Sequence, residues 1–257
     1  MEIKEKIGRY NFLAEPFHCD FTGSLTMGHL GNNLINAADF HSHDRGFGVR
    51  TLQEEHKTWV LSRLTLEMNM MPVAYADFHV DTWVEGIMRF FTRRNFKIED
   101  NNTHQVYGYG RSIWAMIDTR DRKPTNLLEV KDGKLALYVD ADYPCPIEKT
   151  SKIKTRQELQ IIANHEVVYS DLDLNGHFNS IKYIERILDI FPPVTFQKQF
   201  LKRMEIAYVN EAYAGETLHF STSQADSYTH VVRIDKLSPI DGKNVEVCRC
   251  ILHFIDR

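Results

Sequence analysis

Four polar side chains, Asp171, Asp173, Asn175 and His177, fall within seven residues of this chain, in the run D-L-D-L-N-G-H. Three chemistries suit that spacing. The first is calcium binding, because D-x-D-x-N-G opens an EF-hand loop. Such a loop needs a bidentate glutamate at its twelfth position, which here is Lys182, and Leu172 and Leu174 put apolar groups between the ligands. The second is an Asx-rich turn that only caps a helix. The third is acid–base chemistry, with a carboxylate or imidazole polarising water and an amide facing an oxyanion.

The elements around the cluster are legible as periodicities. Phe178, Ile181, Ile184, Ile187, Leu188 and Phe191 recur at steps of three or four and predict a helix over 176–191 with Asn175 as its N-cap. The polar cluster is then expected at a helix N-terminus, where unpaired N–H groups and the helix dipole suit an oxyanion. A strand is expected at 161–170, and further strands near 199–209, 216–225, 228–236 and 245–256. Upstream, a strand and its approach occupy 9–21. A helix spans 25–40, with Leu30, Leu34, Ala37 and Ala38 apolar, and a polar connection covers 41–56. Strands follow at 59–68, 75–84, 89–99 and 107–118. Residues 119–160, charged and carrying Pro124, Pro144 and Pro146, read as a linker.

The order strand, helix, four strands therefore occurs twice. Leu25-Thr26-Met27-Gly28-His29-Leu30 matches Asp173-Leu174-Asn175-Gly176-His177-Phe178 at an offset of 177 − 29 = 148. Ala74-Tyr75-Ala76 matches Ala212-Tyr213-Ala214 at 212 − 74 = 138, and the run from Arg111 matches the run from Arg249 at the same 249 − 111 = 138. The expected fold is α+β, two tandem units (1–118 and 161–257), each an antiparallel sheet wrapped around one long helix. In this matching only the second copy carries the polar set, with Leu25 and Met27 standing where Asp173 and Asn175 stand. That asymmetry argues against a mere cap and suits an apolar ligand tail at the first helix.

Composition narrows the classes. In 257 residues, 43% hydrophobic and 26% charged, there is enough for real cores. A net charge of −4 argues against nucleic acid as the main partner. The first ten residues lack an apolar h-region and no apolar run reaches membrane-span length, so a cytoplasmic protein is expected. Cys19, Cys145, Cys248 and Cys250 lack zinc spacing; the last two are expected on one face of a strand. His41, His43 and Asp44 read as a polar loop, since the full H-x-H-x-D-H pattern is absent. His29 reads as a structural histidine.

The order D-L-D-L-N-G-H-F-N-S-I-K-Y-I-E after a strand resembles the second-domain signature of the acyl-acyl carrier protein thioesterases of plants and bacteria. V-D-T-W from Val80 and the Gly28-His29-Leu30 run resemble their first domain. The resemblance covers nearly the whole chain. It implies two hot-dog domains, hydrolysis of fatty acyl thioesters, no metal or other cofactor, and acyl carrier protein, with its acylated phosphopantetheine arm, as partner. A homodimer is compatible with it. It also implies catalytic roles for Asp173, Asn175 and His177, and for Glu211 in the run Tyr208-Val209-Asn210-Glu211-Ala212. Many plant relatives have Cys beside that Glu; here it is Ala212, and Val209 and Asn210 replace two arginines.

Without a G-x-S-x-G elbow or a cysteine matched to a histidine, direct attack by water is the remaining route. Glu211, His177 and Asp173 all stay open as its base. Asn175, with N–H groups near Gly176, is expected to face the oxyanion. Leu25, Met27, Leu30 and Leu34 are expected to wall an acyl pocket, and Gly176 to touch substrate. Arg89, Arg93, Arg94 and Lys97, or Lys198, Lys202 and Arg203, offer positive charge to an acidic carrier, but a solvated strand face is the better reading of either set alone, and the carrier dock is implied by the resemblance, not by charge. An acyl-CoA thioesterase and a non-catalytic acyl-thioester sensor are the alternatives.

Overall fold

The computed structural model describes residues 4–149, 153 and 159–257. The chain forms two compact units, Met1–Lys149 and Thr150–Arg257.

In the first unit, β1 (Gly8–Leu13), β2 (Lys57–Met68), β3 (Asp77–Ile87), β4 (Phe91–Asp100) and β5 (Val106–Asp118) pair antiparallel in the order β1-β3-β4-β5-β2. Helix α1 (Met27–His43) packs on β1 and β3. Thr26 caps it, its hydroxyl accepting the N–H of His29 at 3.2 Å. Leu30, Leu34 and Ala37 are fully buried, as their helical spacing requires. Arg94 on β4 ties sheet to helix, donating to Thr82 Oγ1 and to Ser42 Oγ at 3.2 and 3.1 Å. Helix α2 (Val49–Glu54) lies inside the connection read as polar.

The second unit repeats the plan. Strands β6 (Gln160–Glu166), β7 (Gln199–Tyr208), β8 (Thr217–Gln224), β9 (Thr229–Leu237) and β10 (Asn244–Asp256) run in the order β6-β8-β9-β10-β7, all antiparallel. Helix α3 (Ser180–Asp189) buries Ile181, Tyr183, Ile184 and Ile187. Pro192 and Pro193 then end one helix and start the short α4 (Pro193–Lys198). Cys248 and Cys250 are fully buried on β10, and burial pushes both thiols up.

Residues 150–152 and 154–158 of the stretch read as a linker lie outside the described residues. Residues 119–149 belong with the first unit. Leu127, Val130 and Leu135 are buried in one cluster with Phe47, Leu52 and Met116. Arg111 donates to the carbonyls of Cys145 and Ile147 at 2.6 and 3.1 Å. The prolines and charges of this stretch conceal apolar residues spaced to cover α2 and β5.

Two registers correct the repeat. Gly110 pairs with Leu66 and Cys250 with Ile206, an offset of 206 − 66 = 140 rather than 138. Both strand pairs carry a bulge at matching places, Leu61/Arg63 and His253/Phe254 opposite Leu201/Arg203. Before the helices, the 3-10 turn Pro16–His18 matches Tyr169–Asp171, an offset of 169 − 16 = 153. Asp20-Phe21-Thr22-Gly23-Ser24-Leu25-Thr26 is thus the counterpart of Asp173-Leu174-Asn175-Gly176-His177-Phe178-Asn179. Asp20 and Thr22, not Leu25 and Met27, stand in the places of Asp173 and Asn175.

Candidate active site

The 171–179 loop is shaped by aspartates acting on backbone. Asp173 Oδ1 accepts the N–H of Asn175 at 2.8 Å and of His177 at 3.0 Å. The Asp173 carbonyl accepts the N–H of Gly176, and the Asp173 N–H donates to the carbonyl of His177. Closing so tight a turn puts Gly176 at φ +75°, where a side chain would be strained. The helix therefore begins at Ser180, four residues later than predicted. Its cap is Asn179, whose Oδ1 accepts the N–H of Ile181 at 2.8 Å, not Asn175. The polar cluster precedes the helix, and the N–H groups of Asn175, Gly176 and His177, expected to face an oxyanion, are donated within the loop. Asn175 and Gly176 lie exposed at its tip.

The loop then pairs with the segment after β7. The Phe178 N–H donates to the Ala212 carbonyl at 2.8 Å, and His177 bridges Tyr213. This pairing brings residues 34 apart together (211 − 177 = 34): Glu211 Oε1 lies 3.4 Å from His177 Nδ1. The Tyr213 hydroxyl donates to Glu211 Oε2 at 2.8 Å. Its ring stands edge-on to the His177 imidazole, centroids 5.1 Å apart. With Nδ1 against a carboxylate, Nε2 of His177 is the nitrogen left to take a proton. His177 and Glu211 are each about a quarter exposed or less, so solvent reaches them without bathing them.

Asp171 is the member of the cluster whose role was not legible. It is fully buried. Its Oδ2 accepts the N–H of Val168 at 3.0 Å and lies 2.7 Å from His165 Nε2, while Arg186 on α3 donates to Oδ1 at 3.3 Å. Burial alone raises a carboxyl pKa; the N–H of Val168, His165 and Arg186 outweigh it and hold Asp171 below its ordinary value. One buried carboxylate thus fastens β6, the loop and α3 together. Its partners lie 6 residues before and 15 after it, too far for a motif to reveal. Tyr213, two residues beyond Glu211, was passed over because it was read only as part of a repeat.

The remaining expected residues are placed as follows. Leu25, Leu30 and Leu34 are buried, and Met27 nearly so, in the core of the first unit. His29 is half-buried, 2.8 Å from Thr26 Oγ1 and stacked on His18. His41 is not in a loop: it lies in the last turn of α1, buried, 2.9 Å from the Lys6 carbonyl. Burial and the nearby Arg94 and Arg45 push its pKa down to about 2. Among the described residues no group of His, Cys, Asp and Glu could hold a metal ion, and no helix is long and apolar enough to cross a membrane. Of the basic residues, Arg94 is buried, Arg93 faces Glu85 at 3.7 Å, Lys97 pairs with Glu99 and Arg203 with Glu205.

A long helix held against an antiparallel sheet, twice over, is the hot-dog fold of thioester-handling proteins. Residues 7–132 match the acyl-ACP thioesterase N-terminal domain and residues 154–249 the C-terminal domain. The chain belongs to the acyl-ACP thioesterase family. It resembles the crystal structure of an acyl-ACP thioesterase from Bacteroides thetaiotaomicron at 46% identity and a TM-score of 0.87, covering 97% of this chain and 98% of that one. The 12:0-ACP thioesterase from Umbellularia californica shares the fold at 18% identity, with a TM-score of 0.84 over the full length of both chains. The chain is 28% identical to a chloroplastic palmitoyl-acyl carrier protein thioesterase of Arabidopsis thaliana, over 84% of this chain and 54% of that protein. It is 24% identical to an oleoyl-acyl carrier protein thioesterase of Coriandrum sativum, over 91% of this chain and 66% of that protein. It thus spans between about half and two thirds of these curated relatives.

Proposed function

We propose that this chain hydrolyses fatty acyl thioesters on acyl carrier protein, releasing free fatty acid and the carrier's phosphopantetheine thiol. The observation that carries the reading is the 3.4 Å approach of Glu211 to His177 Nδ1 in a chain of this family. His177 Nε2 takes a proton from water as its oxygen bonds to the carbonyl carbon. Glu211, behind Nδ1, stabilises the imidazolium that forms. As the intermediate collapses, the C–S bond breaks and Nε2 returns the proton to the leaving thiolate. The Asn175 side chain, at the loop tip, is assigned to the oxyanion. Asp173 shapes the loop rather than acting as base, because its Oδ1 already accepts two backbone N–H groups. The apolar helix of the first unit, with Leu25, Met27, Leu30 and Leu34, is assigned to the alkyl chain. Four free cysteines suit a reducing cytoplasm.

The test is thiol release from acyl carrier protein and CoA thioesters of graded chain length. The reading expects turnover with preference for the carrier-bound substrate, and its loss in His177→Ala and Glu211→Gln. A chain that binds acyl thioesters without cleaving them, or variants that both turn over normally, would overturn it.

A further inference from the structure

Tyr213 is half exposed but held at its backbone and its ring. Its backbone N–H donates to Glu216 Oε2 at 2.9 Å. Lys236, itself buried, donates from Nζ to both oxygens of Glu216 at 2.8 and 2.7 Å and lies 5.3 Å from the Tyr213 ring centroid. The ring meets His177 edge-on, and the backbone of residue 213 bridges that of residue 177. The hydroxyl at the end of this ring donates to Glu211 Oε2.

Glutamate is among the side chains with the most rotamer freedom to lose. Glu211 follows the end of β7. With Oε2 on Tyr213, the carboxylate presents Oε1 to His177 Nδ1 at 3.4 Å. The first unit supports the pairing. At the 140-residue offset of its strand register, Met71 stands for Glu211 and Val73 for Tyr213; the donor is present only where the carboxylate is.

We propose that Tyr213 is a positioning residue for thioester hydrolysis, its hydroxyl orienting Glu211 against His177. The proposal rests on the hydrolytic reading above. It is tested with Tyr213→Phe, Glu211→Gln and the double variant on an acyl carrier protein thioester, with circular dichroism to verify folding. Tyr213→Phe keeps the ring against His177 and Lys236 and removes only the donor. Because Tyr213 is half exposed, kcat is expected to fall roughly three- to thirty-fold, less than the roughly ten- to hundred-fold worth of a fully buried hydrogen bond to a charged group, with KM unchanged. On the Glu211→Gln background the same change is expected to cost nothing further, since the carboxylate through which Tyr213 acts is gone. If Glu211→Gln leaves no measurable turnover, the wild-type background decides through the kcat and KM split. Full kcat in Tyr213→Phe with Glu211→Gln inactive overturns the proposal and leaves hydrolysis at this site standing. A loss in Tyr213→Phe that appears in KM, or recurs undiminished without Glu211, also overturns it. Normal turnover in Glu211→Gln overturns the site and the proposal together.

Discussion

In both units a strand ends, the chain makes a 3-10 turn, and an aspartate folds the next residues back before a helix begins. Asp20 does in the first unit what Asp173 does in the second. Its Oδ1 accepts the N–H and hydroxyl of Thr22 at 2.8 and 2.6 Å, its carbonyl takes the N–H of Gly23, and its N–H reaches the carbonyl of Ser24. Gly23 and Gly176 sit at φ +77° and +75°. The loops share a frame and differ in what they display: Thr22, Ser24, Met71 and Val73 in one unit, Asn175, His177, Glu211 and Tyr213 in the other. A feature common to both belongs to the architecture; a feature found in one belongs to chemistry. Asp171 is the exception, present in one unit only yet structural, since it fastens β6, the loop and α3. Its counterpart is His18, and that of His165 is Phe12, which stacks on Phe78 instead.

That division can be broken by experiment. The largest effect is expected at the displayed positions. His177→Ala and Glu211→Gln should lower kcat/KM by roughly 10²- to 10⁴-fold, the usual worth of a general acid–base group, while Ser24→Ala and Met71→Ala leave thiol release unchanged. A loss from Ser24→Ala comparable to that from His177→Ala would remove the distinction between the units.

Next comes Asp171→Asn. Breaking a buried ion pair costs more than breaking a surface one, but Arg186 is 32% exposed, so about 2 kcal/mol is expected in chemical denaturation. The folded carboxyl titrates below its unfolded value, so its contribution is complete above roughly pH 4 and is lost as pH falls through the folded value. The variant should therefore show a flatter acid limb of stability than the wild type.

Asp20→Ala and Asp173→Ala form a sharper pair. Each removes the acceptor of the loop's own hydrogen bonds, and each should cost about 1 kcal/mol of stability. Only Asp173→Ala should also lower kcat, because only its loop carries His177. The smallest difference between the units is expected for Gly23→Ala and Gly176→Ala. A Cβ meets nothing within 4 Å at either site, so the penalty is backbone strain alone, about 1 kcal/mol and equal in the two.

Much of this was readable from residue types. Alternation and three-to-four spacing located the strands and both long helices, because those faces are buried. The D-x-N-x-H run and Glu211 were found through family resemblance, and the fold brings His177 and Glu211 together. What escaped has a common cause. The predicted helix start at 176 missed Asn179 because two asparagines compete as caps and only the turn at Gly176 decides between them. Gly28-His29 and Gly176-His177 share only a two-letter likeness, while the true correspondence runs through Asp and Gly, whose jobs are conformational. The fastening of Asp171 and the packing of residues 119–149 depend on partners remote in the chain, which local pattern does not encode.

The shared turn has a further consequence. Because an aspartate and a glycine set its shape, and the groups assigned to hydrolysis merely project from it, exchanging those groups is expected to leave the backbone folded. The first unit is then a ready template: Thr22→Asn, Ser24→His, Met71→Glu and Val73→Tyr would graft onto it the side chains it lacks. Two halves built on one turn can thus hold different duties on the same scaffold.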